Sequence, residues 1–309
     1  MAMILGIVIP GIVLNGTVWI TGSDMKEFES PATKTEMEHE EETAEVRVLM
    51  DDGGVVVMEL EQYITGVVLA EMPVSFEEEA LKAQSVVART YTLRAMSGKG
   101  KHREADVCTR SACCQAYRNA ESKSDEDMEK VKSAVFATKG EVLLYEGELI
   151  EATYFSCSGG STEDAVSVWG TEVPYLVATD SPGEEYATHY SDTVAFSAEE
   201  FLECLSLTSS LPAKDWLGPV TYTAGGGVAQ MEICGKTFAG TELRKLLNLK
   251  STSFVMTLDD DVIHIRTRGY GHRVGMSQYG ADAMALQGHG YRQILAHYYK
   301  GTTIEMRND

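Results

Sequence analysis

The chain has 309 residues, with 26 basic against 47 acidic side chains and a formal net charge of −21. Charge of that sign and size excludes an electrostatic footprint for nucleic acid and disfavours anionic lipid surfaces. An apolar fraction of 44% excludes a disordered polymer and suits one large globular domain, or two modest ones, plus a short appendage.

Residues 1–23 carry no charged side chain, and Met3 to Ile20 is mostly apolar over about the length a spanning helix needs. We expect residues 1–22 to form a transmembrane anchor. A cleaved signal peptide is the alternative, although the segment lacks a basic n-region and a clean small-x-small cleavage site. Lys and Arg cannot orient such a span, since its N-terminal side has none. Residues 23–44 are rich in Glu, Thr and Lys and contain Pro31, which predicts a solvated acidic stalk. Residues 45–305 are expected to fold as one domain.

Within that domain, VRVLM and VVVMEL on either side of DDGG predict a strand, a tight turn and a strand. Gln62 to Glu71 predicts a short, mostly buried helix stopped by Pro73. Ser75 and Glu78 read as a capping box for a second helix. In that helix Ala80, Ala83, Val87, Tyr91 and Ala95 share one face, and Lys82, Ser85, Arg89 and Thr92 share the other, an amphipathic pattern. Next come an irregular stretch over 99–127, a helix near 129–137, a hairpin turning at Glu146-Gly147, and Gly- and Ser-rich loops over 156–193. The remainder predicts a helix near Ala198–Leu207, strands around Val220–Ile233, a strand over Val262–Arg268, and helices over Met276–Leu286 and Gln293–Lys300, the last stopped by Gly301. Interspersed helices and strands give an α+β class, with short strands and hairpins around a long cleft.

Three stretches carry chemistry. Glu71 follows four apolar residues and precedes Met72 and Pro73 at a helix end. Burial there raises a carboxyl pKa, and a carboxylic acid still protonated near neutrality can protonate a glycosidic oxygen. An ordinary surface glutamate is the plainer reading, though a helix C-terminus is unfavourable for it. The run from Gly269 to Ala281 combines glycines that permit close backbone approach with polar His272, Ser277 and Gln278 and flat Tyr270 and Tyr279. It reads equally as a Gly-rich turn entering a helix. Tyr154 to Thr162, leading to Val168-Trp169-Gly170, is either a glycan-binding rim or a plain surface loop.

Of six cysteines, Cys108, Cys113 and Cys114 cluster near His102, while Cys157, Cys204 and Cys234 are scattered. That layout is unlike a dense disulfide framework. A neutral imidazole and two thiolates suit zinc and leave one open position. A disulfide, or inert thiols, is the alternative.

YITGVVLAEMP, EALKAQSVVARTYTL, YFSCSGGSTED with VWG, GYGHRVGMSQYGA and ILAHYYKG occur in this order across roughly residues 45–305. Together they resemble the stage II sporulation protein D family. The resemblance implies a lytic transglycosylase that cleaves MurNAc–GlcNAc linkages of peptide-stripped glycan strands to 1,6-anhydroMurNAc ends during engulfment. It implies a single-pass membrane anchor, a catalytic domain outside the cytoplasm, and work alongside a sporulation amidase and a membrane scaffold. The family's catalytic glutamate falls on Glu71. Arg89, Tyr154, Ser156, Ser158, His272, Ser277, Gln278 and Tyr279 are the substrate-binding candidates. Clostridial-type relatives carry a similar His…Cys…Cys-Gln pattern that binds zinc, with the ligand cysteine directly before Gln. That pattern assigns His102, Cys108 and Cys114 as ligands and passes over Cys113.

Two departures stand out. Relatives usually read Gly-His-Gly where this chain has Gly271-His272-Arg273, which would put a long cation beside the cleft. Many also carry an acidic residue where this chain has Val166. A zinc-dependent cell-wall hydrolase and a non-catalytic glycan-binding or amidase-enhancer module remain as alternatives.

Overall fold

The structure, a computed structural model, describes residues 44–119 and 124–307. The anchor over 1–22 and all of the stalk except Ala44 lie outside the described residues. Among the described residues, no helix is long and apolar enough to cross a membrane. Mixed helices and short strands are found, as the α+β reading requires.

The first hairpin forms as its turn residues dictate. Strands Glu45–Leu49 and Val55–Glu59 pair antiparallel, and the Asp52 carboxylate accepts from the Gly54 N–H at 2.8 Å. Helix α1 (Leu60–Glu71) follows, buried at nearly every position, and its last turn ends where Met72 becomes extended ahead of Pro73.

Helix α2 (Glu78–Arg94) is the core element. The expected capping box is absent: no side chain caps it, and Ser75 is exposed. The entry is instead held from a distance, by the Glu77 N–H donating to the Asp282 carboxylate at 2.7 Å. Nor does α2 have a solvent face opposite its apolar one. It packs against α1, α3 (Asp125–Ala137), strand Glu141–Tyr145, α7 (Gln278–Leu286) and α8 (Tyr291–Tyr298), so Ser85, Arg89 and Thr92 are as buried as Ala83 and Val87. Most of its buried polar groups have partners, as the low-dielectric interior requires, and the side chain of wholly buried Gln84 is the exception. Ser85 donates to the Leu81 carbonyl, Thr90 accepts from the Leu143 N–H, and Arg89 forms a bidentate pair with Glu61 at 2.7 and 2.8 Å.

The hairpin Glu141–Tyr145/Glu148–Leu149 turns at Glu146 and Gly147, both at positive φ, and is joined by C-terminal strand Thr303–Met306. Between α2 and α3 runs an irregular segment with one two-residue strand, Val107–Cys108, parallel to Glu45–Leu49. Short helix α4 (Ala165–Trp169) lies in the Gly- and Ser-rich region and ends at left-handed Gly170.

A second hydrophobic core, around Phe201, Trp216, Phe238, Leu243, Ile263 and Ile265, is separate from the one around α2. It is built by strands Ser191–Ser197, Val262–Arg268 and Phe254–Asp259 in one sheet and Leu217–Tyr222, Val228–Ile233 and Lys236–Ala239 in another. Helices α5 (Ala198–Cys204) and α6 (Gly240–Leu246) cover them, α5 opening with a Ser197/Glu200 capping box.

Candidate functional site

A cleft of about 940 Å³ runs along the end of α1, with Glu71, Tyr91, Cys113, Cys114, Tyr154, Ser156, Trp169, Tyr270, His272 and Gln278 in its walls. A second cavity of about 330 Å³ continues beyond it and adds Pro73, Phe76, Arg118 and Tyr279. The two share Glu71, Ser156 and Gln278. Glu71 therefore stands at the middle of a longer groove, a geometry that accommodates a polymer on both sides of one carboxyl group.

Glu71 is reached by a short segment that sequence reading left as irregular. Residues 115–118 run beside α1. The Ala116 N–H donates to the Glu71 carboxylate at 2.6 Å, and the Arg118 N–H donates to the Gly66 carbonyl at 3.1 Å. Tyr117 stacks on Tyr63 at 5.6 Å, and the amide of buried Gln115 donates to Thr92 at 3.0 Å. The close approach needs the glycine: a Cβ on Gly66 would lie 2.2 Å from the Tyr117 ring and 2.9 Å from the Arg118 carbonyl oxygen.

Burial pushes the Glu71 pKa above the ordinary carboxyl value, against the opposing pull of hydrogen bonds from Ala116, Tyr154 and Gln278. Burial also holds the Tyr154 phenol far above its usual pKa, so it remains an O–H donor beside the carboxylate. The single Tyr154 proton is shared between Glu71 and the Gln115 side-chain oxygen, 3.3 Å away. The buried amide nitrogen of Gln278 faces Glu71 and has no other partner in the protein.

The remaining candidates divide. Tyr154, Ser156, His272 and Gln278 line the main cleft and Tyr279 the second cavity. His272 is less free than expected. Its Nδ1 accepts from the Val274 N–H at 3.1 Å, and its ring is flanked by Phe155 and Trp169 at 5.6 and 5.5 Å. Burial and neighbouring Arg244 push its pKa down to about 4, despite a bond to the Tyr154 backbone, so the ring is a neutral wall.

Three candidates are corrected. Arg89 is wholly buried in its pair with Glu61 and lines neither cavity. Ser158 is buried on Glu184, its N–H and hydroxyl donating at 2.6 and 2.8 Å. Ser277 is the N-cap of α7, accepting from the Gly280 N–H at 3.2 Å. Arg273 also points away from the cleft. At φ 66° it is buried on Glu163 at 3.1 Å and donates to the carbonyls of Ser158, Ser161 and Gly225. Glu184 and Glu163 order these loops from within; Glu163 lies in the YFSCSGGSTED motif, while Glu184 carries no sequence signal beyond being an acidic residue in a Gly-rich region.

The ligand atoms of His102, Cys108, Cys113 and Cys114 all lie within 4.8 Å of one another. His102 Nε2 is 3.6 Å from the Cys113 sulfur and 3.4 Å from the Cys114 sulfur, and the two sulfurs are 4.0 Å apart. A tetrahedral zinc with its usual bond lengths needs edges of about 3.5–3.8 Å, so the donor set fits that ion. No disulfide joins these cysteines in the structure. Burial opposes ionisation of Cys108, but the Arg110 backbone and bonds from Cys113, Cys114 and His102 outweigh it and bring its pKa down to about 7. Burial and the neighbouring Cys108 push Cys114 up to about 11. A second thiolate beside the first is costly without a cation between them. Cys113 thus stands within reach of the other three ligand atoms, a fourth candidate that the His…Cys…Cys-Gln pattern passed over.

A family model described as "Stage II sporulation protein" matches residues 53–145. Stage II sporulation protein D of Bacillus amyloliquefaciens is 38% identical over 255 residues, covering 79% of this chain and 74% of that protein. The protein of the same name from Bacillus subtilis (strain 168) matches with the same identity and coverage. An "Amidase enhancer" of Bacillus subtilis (strain 168) is 30% identical over 298 residues, covering 78% of this chain but 40% of that protein. With 38% identity over 79% of its length, the chain belongs to the stage II sporulation protein D family.

Proposed function

We propose that this protein is a lytic transglycosylase that cuts peptide-stripped peptidoglycan strands between MurNAc and GlcNAc, with Glu71 as its acid and base. The carrying observation is a single carboxyl group of raised pKa at the junction of two cavities. The cleft's other acid, Glu151, is half exposed and pairs with Arg94 at 3.6 Å. One such group suffices for this reaction. Protonated Glu71 gives its proton to the leaving glycosidic oxygen as the bond to MurNAc C1 breaks. The Ala116 N–H and the Tyr154 hydroxyl stabilise the carboxylate left behind. That carboxylate then takes the proton of the sugar's C6 hydroxyl as O6 bonds to C1. The 1,6-anhydro ring closes, Glu71 is protonated again and no water is consumed. Attack from within the same sugar replaces a bimolecular step.

Zinc belongs to the same proposal. His102, Cys108, Cys113 and Cys114 would hold it, and a bound ion supplies rigid crosslinking with no position left open for water. Cys113 and Cys114 directly precede Gln115 and Ala116, so the cluster fixes the segment that holds Glu71. A closed site disfavours the zinc-hydrolase alternative. The amidase enhancer's name motivates the binding-module alternative and partnership with a cell-wall amidase. We also place the apolar N-terminal segment in the membrane, the groove outside the cytoplasm and a membrane scaffold among the partners.

The test is to incubate the chain with amidase-treated sacculi and weigh the products. Anhydro ends, one water lighter than hydrolysed ends and absent with Glu71→Gln, are expected. Hydrolysed ends would establish a hydrolase, and binding without turnover a binding module.

A further inference from the structure

The cleft wall holds a cation that no carboxylate among the described residues balances. Arg244, on α6 of the second core, lines the cleft with Tyr270, His272 and Trp169. Among the described residues its only hydrogen bond runs from Nε to the Leu249 carbonyl at 3.4 Å, and no carboxylate pairs with it. The other charged groups of the cleft are engaged: Lys101 donates to the Cys113 carbonyl, Glu151 pairs with Arg94, and Glu71 is held by Ala116. Partial burial pulls the Arg244 pKa down, and Tyr270 opposes this only in part. The chain's net charge of −21 makes a half-buried guanidinium without a carboxylate partner a natural docking point for an anion. Beside it, Tyr270 and Trp169 remain 39% and 43% exposed, flat surfaces of the kind on which sugar rings lie.

We infer that Arg244 reads a carboxylate on the glycan, namely the lactyl carboxylate that each MurNAc exposes once its peptide has been removed. This inference rests on the glycan-strand reading above. While the stem peptide is attached, that carboxyl group is an amide, with no charge and a bulky extension. After stripping, it is an anion that a guanidinium can grip with two parallel N–H bonds. Arg244 thereby makes the enzyme prefer stripped strands by direct recognition of what the amidase leaves. It also offsets the repulsion between an acidic protein and a polyanionic strand at the one place where the strand must dock.

Binding to the full chain in detergent, with Glu71→Gln to prevent turnover, tests this. Three probes of equal length are compared: a GlcNAc–MurNAc oligosaccharide with free lactyl groups, the same with lactyl methylamides, and a GlcNAc oligomer. The free acid is expected to bind about tenfold tighter than the methylamide, the scale of one charge-assisted hydrogen-bond pair. The preference should shrink with added salt. Adding Arg244→Gln should abolish the preference while leaving methylamide and GlcNAc-oligomer binding in place, and Arg244→Lys should keep part of it. A preference that survives Arg244→Gln, equal weakening of all three probes, or no binding of any probe would overturn the inference. A wild type that discriminates among the probes yet yields no anhydro ends would overturn the transglycosylase reading and leave this one standing.

Discussion

Gly66→Ala is the sharpest test of how Glu71 is held, because the change is one methyl group on the far side of α1. Two effects oppose each other. Alanine in a helix interior gains about 1 kcal/mol over glycine. The new Cβ would meet the Tyr117 ring at 2.2 Å and the Arg118 carbonyl oxygen at 2.9 Å, so residues 115–118 must move. Overpacking of this kind costs about 1–3 kcal/mol, and the net destabilisation is about 0–2 kcal/mol, a few degrees in melting temperature. Activity should suffer more than stability. Displacing the segment breaks the 2.6 Å bond from the Ala116 N–H to Glu71. A hydrogen bond to a charged group contributes about 1.5–3 kcal/mol, here to the carboxylate that forms as the proton leaves. The rate of glycan cleavage should therefore fall about ten- to a hundredfold. Initial rates on stripped sacculi and a thermal melt decide the matter. Wild-type turnover with a raised melting temperature would refute the reasoning, since the segment would then be free to yield without consequence for Glu71.

Glu71→Gln should lower cleavage by at least about 10²–10⁴-fold. It should also stabilise the fold at neutral pH: the folded pKa is raised, so Glu71's contribution is present at low pH and lost as pH rises through that value. Melts across pH should show a shallower decline in the variant. The purified chain should carry about one zinc, and Cys113→Ser and Cys114→Ser should weaken its retention comparably, as elemental analysis after dialysis would show. Equal retention in wild type and Cys113→Ser would return the site to three ligands. Chelation should raise hydrogen exchange over residues 99–117 before it does so in α2. Arg273→Gly relieves a positive φ, about 1 kcal/mol, but strands Glu163, at about 3–5 kcal/mol. Denaturant melts should show a net loss of about 2–4 kcal/mol, largely rescued by adding Glu163→Gln.

What the sequence made legible is what periodicity and turn chemistry encode locally. The DDGG hairpin, the stop of α1 at Pro73, the Glu146-Gly147 turn and the strand Val262–Arg268 each depend on neighbours a few residues away. The failures at α2 are both tertiary. Ser75 and Glu78 have the spacing of a capping box, but Asp282, some two hundred residues later, occupies the role. Lys82, Ser85, Arg89 and Thr92 look like a solvent face because polar residues usually are one. Here Leu81, Glu61 and Gln115 supply partners to Ser85, Arg89 and Thr92, and this part of the helix can be enclosed.

The site divides along the same line. Glu71 could be singled out because burial of a carboxyl at a helix end is visible in four preceding apolar residues. His102 and the cysteines could be grouped because zinc ligands on one loop are close in sequence. Arg89, Ser158 and Ser277 were misassigned because their motifs surround the groove and each side chain faces inward instead, one onto Glu61, one onto Glu184 and one onto the α7 N-terminus. Arg244 escaped notice for the opposite reason. It sits in a seven-residue helix of the second core, with no motif around it and 25 residues before the GYGHR run. Only the fold sets it beside His272 and Tyr270, and only the tally of charges in the cleft shows that its own is unbalanced. In an enzyme acting on a polymer, the residue that breaks the bond must be shielded from water and so marks the sequence with apolar neighbours. A residue that selects among strands must stay open to them, and so leaves no such mark.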